Sequence, residues 1–169
     1  MSLASLRINS LYIVMHTKEV EFADIPGPLQ WSMYLHLDGR TGGMRYRIEC
    51  ARGNSIANHG HTAAILKSIG LIGLIRIANL PDGLEIPNLV DSIMRGFDSQ
   101  LNTLQLDSRT WTFRLLELLQ QPLSGHTILV CNNLEALRQE AEAWGRSNVM
   151  DAENNIQPRP IHDSTHCRL

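Results

Sequence analysis

The sequence carries no surplus of basic residues. Its 169 residues include 15 Lys+Arg against 17 Asp+Glu, for a formal net charge of -2. The charge footprint of a nucleic-acid or anionic-membrane binder is therefore not expected. Aromatic residues are only 5% of the chain, too few for a base-stacking platform. The cysteines are Cys50, Cys131 and Cys167, an odd number and far apart in sequence. That spacing gives neither a disulfide framework nor a zinc ribbon, and the three are expected to be reduced thiols of a cytoplasmic protein. No apolar run is long. Leu11 to Met15 is too short for the core of a secretory signal. Ile69 to Ala78 contains Arg76 and is about half a membrane span. The phosphate-cradling P-loop, the dinucleotide glycine fingerprint, the GxSxG elbow and HExxH are all missing. No cofactor and no resident metal is expected.

What is present is the composition of a folded domain, 43% hydrophobic and 19% charged. Leu11 to Met15 reads as a buried first strand, and Glu19 to Pro28 as a loop ending in the breaker Pro26-Gly27-Pro28. Leu29 to Leu37 alternates: Trp31, Met33, Leu35 and Leu37 share one face, and Ser32, Tyr34 and His36 the other. After the turn Asp38 to Gly43, Met44 to Cys50 alternates again, with Arg45, Arg47 and Glu49 opposite Met44, Tyr46, Ile48 and Cys50. The two segments predict an antiparallel hairpin. Ala51 to Gly60 reads as a loop. Leu71 to Ala78, apolar on both faces except at Arg76, predicts a central strand.

Helices are predicted over Asn88 to Phe97, Ser108 to Gln120 and Asn132 to Trp144, with Gly145 closing the last. Thr127 to Cys131 is a short strand or a buried turn. Strands first and helices after is the order of an α+β domain. The change to Asn, Asp, Gln, Pro and His after Gly145 predicts a single domain over residues 1–147 and a mobile tail over 148–169.

Few residues invite chemistry. His59 and His61 are two apart with no third ligand at metal spacing, and His162, His166 and Cys167 form an HxxxHC run whose polar context, with Pro158 and Pro160, argues against order. They are expected to be a solvated loop and a disordered tail. His36, beside Tyr34, is expected to be a partly exposed strand residue, or else a base reaching a cleft. Asp107 or Ser108 suits a helix N-cap. The same position would favour a nucleophile, since the helix dipole stabilises developing negative charge, provided a base accepts the serine proton.

Several segments together resemble a known group. They are Leu11-Tyr12-Ile13-Val14, Gln30-Trp31-Ser32-Met33-Tyr34-Leu35, Gly43-Met44-Arg45-Tyr46, Leu74-Ile75-Arg76-Ile77 and Asp107-Ser108-Arg109-Thr110-Trp111. The pattern resembles small filamentous-fungal proteins in which a strand opens with His-Trp and a later helix opens with Asn-Cys. That order is similar to circularly permuted papain-like folds of the NlpC and lecithin retinol acyltransferase kind, where cysteine attacks an acyl carbonyl and histidine is its base. The resemblance spans roughly residues 11 to 145 and implies a papain-like α+β architecture of an antiparallel sheet with three helices. Its chemistry does not carry over. Gln30 stands at the histidine position and cannot act as a general base; Asp107 and Ser108 stand at the Asn-Cys positions. The implied function is a degenerate domain that binds a small-molecule or acyl-like ligand. It would be non-hydrolytic, of cyclase or isomerase type, in fungal secondary metabolism. Gln30, Ser108 and Arg109 would donate to a carbonyl or carboxylate, and Tyr34 and His36 would handle protons. Two other readings stay open. One is a serine hydrolase or acyltransferase using Ser108 with His36, His59 or His61; the other is a non-enzymatic interaction module.

Overall fold

A computed structural model describes residues 3–17 and 29–169; the loop expected over Glu19 to Pro28 lies outside them. The strands are β1 (Ser10–Thr17), β2 (Leu29–Asp38), β3 (Gly42–Tyr46), β4 (Ile48–Ala51), β5 (Asn54–Ala57), β6 (Gly60–Thr62), β7 (Leu71–Asn79) and β8 (Ile161–Asp163). The helices are α1 (Ile86–Met94), α2 (Ser108–Leu119) and α3 (Leu134–Glu153). Six strands form one sheet in the order β6-β3-β2-β1-β7-β8, and β4 pairs with β5 separately. Neighbouring strands of the large sheet are antiparallel except β7 and β8, which run parallel. This is an α+β fold.

The strand periodicity decides what packs where. Ile13 and Met15 of β1, Trp31 and Met33 of β2 and Ile75 of β7 join Trp111 and Leu115 of α2 and Leu137 and Ala141 of α3 in one buried cluster. Each Ile, Leu or Met side chain among them contributes about 1.5–3 kcal/mol by leaving water. The opposite face is covered as well. Tyr12, Val14, Tyr34 and Leu74 pack against Leu6, Ile65 and Leu66, which flank or lie in the short turns Leu3–Ser5 and Ile65–Lys67. This second cover changes the character of β2: Ser32, Tyr34 and His36 are all 0% exposed rather than partly solvated.

The expected single strand Met44 to Cys50 is broken at Arg47. Its N–H donates to His59 Nδ1 at 3.2 Å, and its carbonyl accepts from Asn58 N–H at 2.9 Å. The chain therefore leaves the large sheet, and the supposed loop after it is a hairpin. Arg52 and Gly53, at φ 52° and 78°, make the two-residue turn between β4 and β5, a left-handed pair suited to strand twist.

The expected tail over 148–169 is folded instead. Gly145 does not end α3, because it faces β1 and β2; a Cβ there would lie 2.5 Å from Met15 Sδ and 3.0 Å from Leu29 Cδ1. Glycine allows close approach at that point rather than a cap. The helix continues to Glu153, where buried Arg159 donates to the carbonyls of Asp151 and Ala152 at 2.9 and 3.2 Å and satisfies groups a helix end leaves open. β8 then docks on β7, where Gly73 leaves room for Pro160 and Trp144. Half-buried Glu140 anchors the chain just after β8. It accepts from Ser164 Oγ at 2.6 Å and from the Thr165 N–H and hydroxyl at 2.8 Å each. Beyond Thr165, Cys167 pairs with Cys131 in an isolated strand bridge; Thr127 to Cys131 is otherwise irregular, with Ile128 and Leu129 buried and Thr127 and Val130 exposed, rather than the short strand or buried turn expected.

Candidate functional site

The three residues expected to receive a ligand are engaged within the fold. Asp107 caps α2: its side chain accepts from Thr110 N–H at 2.7 Å, and Thr110 Oγ1 accepts from Asp107 N–H at 3.0 Å. The next residue, Ser108, turns its hydroxyl to β2 and accepts the Trp31 N–H at 3.2 Å. β3 pairs with β2 only from Met33 onward, so this hydroxyl satisfies a strand N–H that has no ladder partner. The start of α2 thus meets the start of β2. The Gln30 and Ser108 side chains do not hydrogen-bond each other there. Gln30 alternates with Trp31 and points to the other face, where its amide donates to Ile48 O at 2.9 Å. Arg109 is ion-paired to Glu142 of α3, which also contacts Arg138 at 3.4 Å.

No described histidine hydrogen-bonds the Ser108 hydroxyl. His36 is on the sheet face away from α2. His59 accepts the Arg47 N–H at Nδ1, which places its own proton on Nε2, 3.0 Å from Asp98 Oδ1. It also stacks on Trp111 at a centroid distance of 6.0 Å. It is therefore a packed structural group, not the solvated loop residue expected, whereas His61 is exposed. His162 contacts Glu140 at 3.3 Å and stacks on Trp144. Among the described residues, no three His, Cys, Asp or Glu side chains are grouped to hold a metal.

Among the described residues, four buried side-chain polar atoms have no partner: Trp111 Nε1 in the core under α2, and His36 Nε2, Arg45 Nε and Arg47 Nε, which belong to the second face of the sheet. Register places His16 opposite Gln30, and Tyr34 opposite Arg45; side chains so paired project to the same side. Gln30, Ser32, Tyr34 and His36 form a column along β2, with His16 and Arg45 beside it and Arg47 at the break after β3. Tyr34 Oη lies 3.2 Å from His36 Nδ1, while His36 Nε2 is buried without a partner among the described residues. The Nε–H groups of Arg45 and Arg47 are buried and unpartnered in the same sense. Their other nitrogens are partly engaged: Arg45 Nη2 donates to Asn58 Oδ1 at 3.3 Å, and Arg47 pairs with Glu49.

The electrostatics follow from this crowding. Burial, and then the positive charges of Arg47 and Arg45, lower the His16 imidazole to a pKa of about 4. Burial also lowers His36, against the opposing pull of Asp38, and pushes the Tyr34 phenol far above its usual value. Burial, then Arg47, lowers Arg45. At neutral pH the face therefore combines two guanidinium groups with neutral imidazoles and a protonated phenol. Gln30, Tyr34 and His36 were legible in the sequence as candidates. His16, Arg45 and Arg47 were not. The alternation of Met44 to Cys50 puts Arg45 and Arg47 on one face with Glu49, but does not show what covers that face. His16 lies just past the apolar run that marks β1.

Comparison with family models gives no match. Neither curated proteins nor solved structures give one either.

Proposed function

We propose that this chain is a small-molecule-binding domain without hydrolytic chemistry: a permuted papain-like fold whose dyad positions serve structure, and whose ligand is an acyl-like acid. The ligand carboxylate would lie on the second sheet face against Arg45 and Arg47, with His16 and Gln30 at its side. One observation carries this reading: two adjacent guanidinium groups each keep a buried Nε–H without an acceptor among the described residues. An unpaired buried donor costs about 1–3 kcal/mol, more when charged, and a carboxylate is the group whose geometry a guanidinium fork matches. Neutral His16 adds a hydrogen-bonding group without further positive charge. The Tyr34–His36 pair would move the proton in a cyclase- or isomerase-type reaction of the bound acid; the unpartnered Nε2 is the free end of that pair.

Mass spectrometry of small molecules released from the purified protein tests the proposal. A carboxylic acid is expected, retained by Ser108→Ala and lost from a folded Arg45→Gln/Arg47→Gln variant. Equal capture by the arginine variant overturns the placement.

A further inference from the structure

We propose that Cys131 and Cys167 are a disulfide site, which fastens the segment after β8 to the connection between α2 and α3. The two residues face each other in an isolated antiparallel bridge. Flanking it, Asn132 N–H donates to His166 O at 3.1 Å, and Arg168 N–H donates to Val130 O at 2.8 Å. Bonds made by the neighbours on both sides mark a non-hydrogen-bonded pair. In that arrangement, side chains sit closest and Cα atoms are about 4.5 Å apart, inside the range of about 4.4–6.8 Å that a disulfide spans. The Cys131 thiol is near enough to add to the upward shift of the Cys167 thiol. Cys131 is buried and Cys167 half-buried against the same core, whereas Cys50 is on β4. Three cysteines far apart in sequence thus become one facing pair and one single thiol.

The surroundings hold this geometry without the bond. Glu140 fixes Ser164 and Thr165 just ahead of Cys167, and Asn133 caps α3 just after Cys131, accepting Ala136 N–H at 3.0 Å. Cross-linking would close a loop containing α3 and β8 with little change in the folded chain, so the constraint would fall mainly on the unfolded state. The oxidant is a low-molecular-weight disulfide. One cysteine thiolate attacks it, forming a mixed disulfide and expelling one small thiolate. The second cysteine loses its proton and attacks the mixed disulfide, expelling the other. Two protein thiols are oxidised, and one small disulfide is reduced to two thiols. Burial, partly offset by a hydrogen bond with Ser164, pushes the Cys167 thiol up to about 12. A thiol so raised is a poor attacking group and a poor leaving group, so exchange at Cys167 is slow in the folded protein.

The test refolds the full chain from urea in oxidised or reduced glutathione, alkylates it under denaturing conditions and maps the peptides. In the oxidised sample we expect Cys50 alone to be alkylated, a linked peptide joining Cys131 to Cys167, and a melting temperature several degrees above the reduced sample. Cys50→Ser keeps the link and the shift; Cys131→Ser and Cys167→Ser lose both. Alkylation of all three cysteines, a link through Cys50, or stable glutathione adducts on Cys131 and Cys167 in place of the link would each overturn the proposal.

Discussion

The backbone N–H of Trp31 donates to the hydroxyl of Ser108 at 3.2 Å, joining the start of β2 to the first turn of α2. Trp31 is only 2% exposed, so removing the acceptor strands a buried donor. Ser108→Ala is expected to destabilise the fold by about 1–2 kcal/mol in urea unfolding, with ligand capture unchanged. Unaltered stability together with lost capture would return Ser108 to the binding site.

His16 makes stability depend on pH. Its folded pKa of about 4 lies below the unfolded value of about 6.5. The unfolded chain binds the proton more readily between those values. The stabilisation is therefore complete above about pH 6.5 and is lost as pH falls towards 4, by up to about 3 kcal/mol. His36, lowered by burial, acts in the same direction. Unfolding midpoints measured across this window should fall with acidity, and His16→Gln should flatten much of the slope. The same slope in the variant would show that His16 is not buried among the arginines.

Glu140 holds the C-terminal segment. Burial alone would raise its carboxyl, but hydrogen bonds from Ser164, Thr165 and His162 outweigh that and keep it below the usual carboxylate range. Glu140→Gln should cost about 2 kcal/mol and speed amide hydrogen exchange at Thr165 and along β8 more than in β1 or β2. Uniform exchange across the sheet would contradict a local anchor.

Alternation at Leu29 to Leu37 and the apolar runs at Leu11 and Leu71 made the three central strands legible. Asp107 before Ser108 made the start of α2 legible for the same reason, a local rule that tertiary contacts left in force. Gly145 misled, because glycine at a close helix–sheet approach looks like glycine at a helix end; only Met15 and Leu29 across the gap distinguish them. The C-terminal segment was opaque because it is held by Glu140, Arg159 and the edge of β7, none of them marked by pattern as its partners. The polar face was hidden for a related reason. Strand alternation identifies two faces, but not the turn Ile65–Lys67 that buries the second one.

The most direct measurement is NMR of the arginine side-chain Nε–H groups during titration with hexanoate. A carboxylate site on the second sheet face predicts that the Arg45 and Arg47 resonances move together and saturate at one affinity, while Arg109 and Arg138, ion-paired to Glu142 and Glu135, stay still. It also predicts that Arg45→Gln abolishes the movement of Arg47. Resonances of all arginines drifting alike with salt, or an unmoved Arg45–Arg47 pair, would contradict such a site.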